Sequence, residues 1–377
     1  MQWKQYAEAL AAGVSYPGSR WWDPVVRTRR HLLVPRWFES GPEGWISVDG
    51  AADEEVWARA TYGNRTLVTR VGPLHADHVE PGQAVIGHPT SSSTLPGLVV
   101  TMLGHGRLQP GLRLLDVATG SGYSAALACL ALGDRLVTTQ DVDPYLCEAA
   151  AGRLESIGYR PEVVADDATT TLHGTYDRIV SMVGMPRIPR TWLDHLDRNG
   201  RLVTTIAGTG LIVTANKTAD GGAVGRVEWD RASFMATRTG DDYASPLNDL
   251  FDTAVESDGE EVRTSPFPIL NVAQAWEVWS MLTLTVSGID HRYGTDSDGN
   301  PAMWMLHADG SWVRASTKLG ERTSVVHQGG PRRLYDALEE IRWRWLERGE
   351  LPVYGAKVTV TPEGETTLMR DGWTATL

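Results

Sequence analysis

The chain has 377 residues, 42% of them apolar, a formal net charge of −12 and two cysteines. That length exceeds one hydrophobic core and predicts two or three domains, and the acidity argues against a broad nucleic-acid or anionic-membrane surface. Cys129 and Cys147 supply neither a disulfide framework nor metal-ligand spacing, no apolar stretch is long enough to span a bilayer, and no signal-peptide pattern opens the chain. The cytosol is the expected compartment, with no metal and no membrane contact.

Residues 1–86 read as an α/β leader. Trp3 to Leu10 predicts a helix that Pro17-Gly18 breaks, and Val25 to Leu33 predicts a second that stops before Pro35. Arg27, Arg29 and Arg30 leave room for a local basic patch. Glu54 to Ala60 reads as a short helix, and Arg65 to Val71 alternates like a strand. Residues 87–98 read as a hydroxyl-rich loop leading into the helix Leu98 to Leu103. Capping before Pro96 is one account of its Ser and Thr residues. Five in succession, Thr90 to Thr94, exceed what one cap needs and suit a polar lip facing a substrate.

An apolar run, Leu112 to Val117, then enters a loop with Gly120 and Gly122, followed by Ala125 to Leu132, apolar nearly all round. A strand, a glycine turn and a buried helix make the first half of a nucleotide-binding βαβ unit. Asp116 ends the strand, and Leu136 to Asp141 predicts a second strand that also ends in an acid. An anion at the first position would repel a pyrophosphate but suits a ligand carrying an amino group and a sulfonium. A carboxylate at Asp141 can accept from both ribose hydroxyls. The two acids together favour S-adenosylmethionine over NAD.

Pro144 to Gly158 reads as a helix and Pro161 to Ala165 as a third strand. Asp166-Asp167 follows, which suits either an adenine amino group or a solvated turn. Tyr176 to Val183, Arg201 to Ile206, Leu211 to Ala215 and a late Ser233 to Thr237 predict further strands, with a helix from Pro189 to Leu196. Such alternation predicts a mostly parallel sheet. The nucleotide contacts expected from this unit are Asp116, Thr119, Gly120, Ser121, Gly122, Tyr123, Asp141, Val142, Asp166 and Asp167.

Residues 241–262, acidic and rich in Gly, Ser and Asp, read as a linker. Beyond them, Ala275 to Leu282 and Pro331 to Arg348 predict helices, with Glu340 and Arg344 spaced for an i,i+4 pair. Asp309-Gly310 and Pro362-Glu363-Gly364 mark two hairpins. The expected organisation is a leader (1–86), a Rossmann-like α/β core (87–240) and an added C-terminal α+β domain (241–377). Thirteen of the 15 tryptophans fall in the leader and tail, where they either pack small domains or form an aromatic groove for an extended peptide.

From about Arg29 to Gly240 the chain resembles the protein L-isoaspartate O-methyltransferase family. Leu33 to Phe38 is similar to its V-P-R-x-x-F leader segment. Ser92-Ser93-Thr94-Leu95-Pro96 is similar to its substrate loop S-x-S-x-P, and Leu115 to Ser124 to its cofactor motif E-I-G-x-G-S/T-G-Y. Asp166 matches the acid of its G-D-G motif, and Ile188-Pro189 with Asn199 to Val203 its later strands. The chain departs from the pattern at Asp116 (for Glu), Ala118 (for Gly), Thr94 (for Ser), in both glycines of G-D-G, and in its tail. The shape is similar to actinobacterial relatives that accompany lanthipeptide, lasso and graspetide maturation.

The resemblance implies methylation of an aspartate side chain in a precursor or modified peptide, with the ester closing to an aspartimide and hydrolysing to isoaspartate. It implies S-adenosylmethionine as donor and S-adenosylhomocysteine as product. Thr94, Ser93 and Ser92 would hold the acceptor carboxylate. Asp141 would hold the ribose, Asp116 the methionine amino end directly or through water, and Asp166 the adenine. A carboxylate with a pKa of about 4 is already a nucleophile at neutral pH, so no general base is needed. Alignment alone can supply roughly 7–11 kcal/mol. Repair of isoaspartyl proteins and a non-catalytic peptide-binding module on a degenerate fold are the competing readings. The sequence leaves the peptide and the oligomeric state open.

Overall fold

The strand Leu114–Val117 is buried on both faces, Asp116 included, which places it in the middle of a sheet. In a computed structural model that describes residues 2–237 and 247–377, it pairs in parallel with Val137–Asp141 on one side and Tyr176–Met185 on the other. Glu162–Ala165 continues the parallel sheet beyond the first neighbour, and Leu196–Ile206 beyond the second. The chain therefore reverses its direction of travel across the sheet beside Leu114–Val117. A crevice at the carboxyl ends of the strands follows from that reversal.

The helix Tyr123–Leu132 packs against this sheet with seven consecutive buried residues, Tyr123 to Cys129. The next helix, Pro144–Ser156, starts where the sequence provides both a cap and a proline. Asp143 Oδ1 accepts from the backbone N–H of Tyr145 (3.0 Å) and Leu146 (3.4 Å), and Pro144 occupies the first turn. Leu114, Leu115, Leu127 and Leu154 are fully buried. Each such side chain contributes about 1.5–3 kcal/mol relative to exposure. Cys129 and Cys147 are free and buried.

Two pairings cross the expected domain limits. Pro89–Ser93, expected as loop, is a strand antiparallel to Leu67–Val71 of the leader. Its hydroxyls bond across that pair: Thr90 Oγ1 donates to Gly72 O (2.6 Å) and Thr69 Oγ1 to Ser91 Oγ (3.2 Å). At the other end, Ala223–Arg231 pairs antiparallel with Leu211–Lys217 and also with Lys357–Val360 of the tail. Thr366–Arg370 and Trp373–Thr376 follow, making one ten-stranded sheet of core and tail.

Three expectations are corrected. Ser233 to Thr237 is no strand: it touches the sheet through one bridge, Gly184 to Ala236. The seventh strand is Ala223–Arg231, whose alternating charges hid it. There Glu228, almost fully buried, accepts from Thr214 Oγ1 (2.6 Å) and pairs with Arg226 (2.8 Å). The linker expected at 241–262 instead contains the helix Asn248–Glu256 and begins the strand Glu261–Ser265. Its first six residues, and the boundary at 240, lie outside the described residues. Arg30 joins no basic patch, because it is fully buried.

The tail's second sheet is antiparallel, in the order Glu261–Ser265, Ser324–Gly329, Trp312–Ser316, Pro301–Leu306, Asp290–Thr295. It includes the expected hairpin at Asp309-Gly310. The helix Leu334–Arg348 contributes buried Leu334, Tyr335, Leu338 and Ile341. Arg344 donates to Asp371 O (2.9 Å), where an i,i+4 pair with Glu340 was expected. Trp21, Trp37, Trp304, Trp312 and Trp373 are buried. No described helix is long and apolar enough to cross a membrane.

Candidate active site

A cavity of about 650 Å³ opens where the strand order reverses. Val117 to Ser121, Gln140 to Val142 and Asp166 to Thr170 line one side of it; Thr90, Ser91, Ser92 and Thr94 line another. Thr119, Gly120, Ser121, Tyr123, Asp141, Val142, Asp166 and Asp167 are thus all at its wall, together with Ser92 and Thr94. Asp116, Gly122 and Ser93 are not.

The glycine loop is shaped by backbone that only small residues tolerate. Gly120 has φ 49° and Gly122 φ 80°, the latter starting the helix Tyr123–Leu132. A Cβ on Gly120 would come within 3.2 Å of Ser92 O, so the glycine loop and the hydroxyl strip touch. Ala118 also has positive φ, 71°. It stands where the resembled motif has glycine, and it keeps the glycine conformation without the glycine.

Asp141 secures this loop from the next strand. Its Oδ2 accepts from Gly120 N (3.1 Å) and its Oδ1 from Asp143 N (3.2 Å). Asp143 in turn pairs with Arg70 of the leader at 2.7 Å, both side chains largely buried. Asp166 N donates to Asp141 O (3.0 Å), which brings the third strand end to the same wall. Asp167 is occupied locally, accepting from the N–H and hydroxyl of Thr169 (2.8 and 2.7 Å).

Asp116 sits one layer behind the wall. Its Oδ2 accepts from Ser124 Oγ and Thr139 Oγ1, both at 2.9 Å, and Thr139 also bonds Thr119 at 2.7 Å. Ser124 and Thr119 line the cavity, so Asp116 reaches it through two hydroxyl links, where the sequence suggested a contact made directly or through water. Burial raises the Asp116 pKa from 3.8 to about 7, against the opposing effect of the two hydroxyl bonds and with help from the Asp141 charge.

The hydroxyl strip is held from beneath by Arg30. Its guanidinium donates to Ser93 O and Oγ (both 3.2 Å), Thr94 O (3.1 Å) and Thr61 O (2.6 Å). Burial lowers its pKa to about 10, leaving it charged at neutrality. The Ser93 hydroxyl is consequently turned away from the cavity. Among the described residues, the Ser92 and Thr94 hydroxyls have no partner.

Other wall residues were read from the sequence as a strand and a hairpin turn and not as parts of a site. Phe234 to Thr237 lies along Gly184, and Glu363-Gly364 arrives from the tail hairpin. No tryptophan lines the cavity among the described residues.

The family profile of Protein-L-isoaspartate(D-aspartate) O-methyltransferase matches residues 76–235. The chain is similar to Protein-L-isoaspartate O-methyltransferase of Thermococcus onnurineus, 33% identical over 34% of this chain and 59% of that one. It is also similar to that of Aeropyrum pernix, 37% identical over 36% and 55% respectively. The chain thus spans somewhat over half the length of these curated relatives. A solved protein-L-isoaspartate O-methyltransferase superposes with a TM-score of 0.49 at 17% identity, covering 100% of this chain and 99% of its own. Residues 76–235 are thus the stretch of this chain that is similar to the protein-L-isoaspartate(D-aspartate) O-methyltransferase family.

Proposed function

We propose that the chain is a carboxyl O-methyltransferase that uses S-adenosylmethionine to esterify an aspartyl-type carboxylate in a peptide. One observation carries the reading: the glycine loop with Asp141 and the hydroxyls of Ser92 and Thr94 face one cavity and touch through Gly120 and Ser92 O. The donor fits the residues present. Asp141 offers carboxylate oxygens beside the loop for a ribose, and Asp166 an acid for an adenine amino group. Ser124 and Thr119 connect the buried Asp116 to the cavity. When bound, the donor supplies a methyl group on a sulfonium. Transfer to an ionised acceptor oxygen would require the chain's own residues neither to take up nor to release a proton.

Thr94 and Ser92 would orient the acceptor by donating to its carboxylate, and the buried Arg30 keeps the Ser93-Thr94 backbone in place. No histidine or paired carboxylate is needed as base, since the acceptor is already ionised at neutral pH.

Within this class, the finer reading is a dedicated peptide substrate whose aspartyl ester closes to an aspartimide. The hairpin turn at Glu363-Gly364 supports it, because a segment outside the family match lies on the cavity wall. Repair of isoaspartyl proteins is the second reading, favoured by the family match itself. Incubation with S-adenosylmethionine, followed by intact mass, tests both. Short isoaspartyl peptides of unrelated sequence should gain a methyl under the repair reading. An aspartyl peptide should gain a methyl and then lose methanol under the dedicated one. No gain on either set sinks the activity.

A further inference from the structure

The hairpin between Lys357–Val360 and Thr366–Arg370 brings its turn to the mouth of the cavity. The turn is firmly built. Gly364 N donates to Thr361 O (2.9 Å), Thr361 N donates to Glu365 O (2.9 Å), and the fully buried Thr366 bonds Gly364 O (3.3 Å). Gly364 has φ 94°, and a Cβ there would fall 3.1 Å from Ile188 O and 3.3 Å from Arg190 N. Glycine at that position lets the turn lie directly on the segment 188–190, which lines the same cavity.

The two segments carry opposite charge. Arg187 and Arg190 are exposed on the core side, Arg190 pairing with Asp194 at 3.4 Å. Glu363 is exposed on the tail side, and among the described residues no hydrogen bond or ion pair engages its carboxylate. A ligand in this cavity meets the cations of one segment and the unpartnered anion of the other.

We propose that Glu363 is a specificity-determining residue, selecting peptides that carry a basic residue beside the methyl-accepting carboxylate. The inference rests on the carboxyl methyltransferase reading. The acceptor's own negative charge is drawn past Arg187, and a neighbouring lysine or arginine meets Glu363. The tail then acts in recognition through one turn, without the tryptophan groove.

The test uses the full chain and fluorescent isoaspartyl peptides that differ only in a Lys, Ala or Glu next to the acceptor, with binding read by anisotropy. The wild type should bind the lysine peptide about fivefold more tightly than the glutamate peptide, the scale of one exposed charge pair. Glu363→Lys should invert that order and Glu363→Gln should level it, and both differences should shrink in about 1 M salt, where the screening length is about 3 Å. An unchanged ratio in Glu363→Lys overturns the proposal. Methyl transfer measured on the same peptides is a separate readout. Its absence with the binding order intact counts against the activity alone.

Discussion

The guanidinium of Arg30 lies 5.1 Å from the centre of the Tyr123 ring, so a buried cation of the leader rests on the first residue after the glycine loop. The same group holds the carbonyls of Ser93 and Thr94. One side chain therefore fixes the distance between the strip and the loop. Arg30→Met orphans several buried carbonyls at about 1–3 kcal/mol each, and should lower stability by at least about 3 kcal/mol. Urea midpoints measure it. A loss below about 1 kcal/mol would show that water or rearrangement satisfies those carbonyls.

Asp116 should give the fold an inverted acid response. Its native pKa of about 7 lies above the unfolded value of 3.8. Between the two the native state holds a proton that the unfolded chain has released, so this group's contribution falls as pH rises through that window and is flat above it. His31, lowered to about 4 by burial and nearby positive charge, acts in the opposite sense up to its usual value. Comparison with Asp116→Asn isolates the carboxyl. The variant should gain on the wild type from about pH 5 to about pH 7, and parallel stability curves would refute the assignment.

Asp141→Ala removes an acceptor at the loop and should weaken S-adenosylhomocysteine binding by about 1.5–3 kcal/mol, roughly 10- to 150-fold. Calorimetry reads this directly. Because Asp141 also receives Gly120 N, Asp141→Asn is the control that preserves an acceptor there. Its affinity should fall less than that of the alanine variant.

Ser93 and Thr94 should separate. Thr94→Ala, at the cavity wall, should lower kcat while leaving S-adenosylhomocysteine affinity within about twofold. Ser93→Ala removes only an acceptor for Arg30 and should cost about 1 kcal/mol of stability, with a smaller effect on kcat. The reverse pattern would put the wrong hydroxyl on the acceptor.

Ala118 carries a left-handed backbone that costs an L-residue about 1–2 kcal/mol, against a glycine penalty of about 0.5–1 kcal/mol. Ala118→Gly should therefore stabilise the fold by up to about 1 kcal/mol. Ala118→Val should destabilise it and tighten the cavity. Thermal unfolding of both variants checks the sign.

Local signals made the nucleotide unit legible. The apolar run ending at Val117, the cap and proline at Asp143-Pro144, and the acids at Asp141 and Asp166 each mark the start, body or end of a single element. The strip was legible in composition but not in conformation. A run of Thr and Ser shows no hydrophobic alternation, yet Thr90 and Ser91 are buried through hydroxyl bonds to the leader. Asp116 was legible as an acid but not as a shielded one, since its cover comes from Ser124 and Thr139 on neighbouring elements. Glu363 was legible as part of a hairpin turn but not as part of the site, because its place at the cavity depends on pairing between Ala223–Arg231 and Lys357–Val360.

That pairing has a consequence for synthesis. Ala223–Arg231 leaves the ribosome with one side unpaired, and its final neighbour emerges roughly 125 residues later. At ordinary elongation rates this means on the order of ten seconds with a bare edge open to stray strands. Glu228 and the charged residues around it, Arg226 and Asp230, are the kind of gatekeepers that keep such an edge from sticking before its partner arrives.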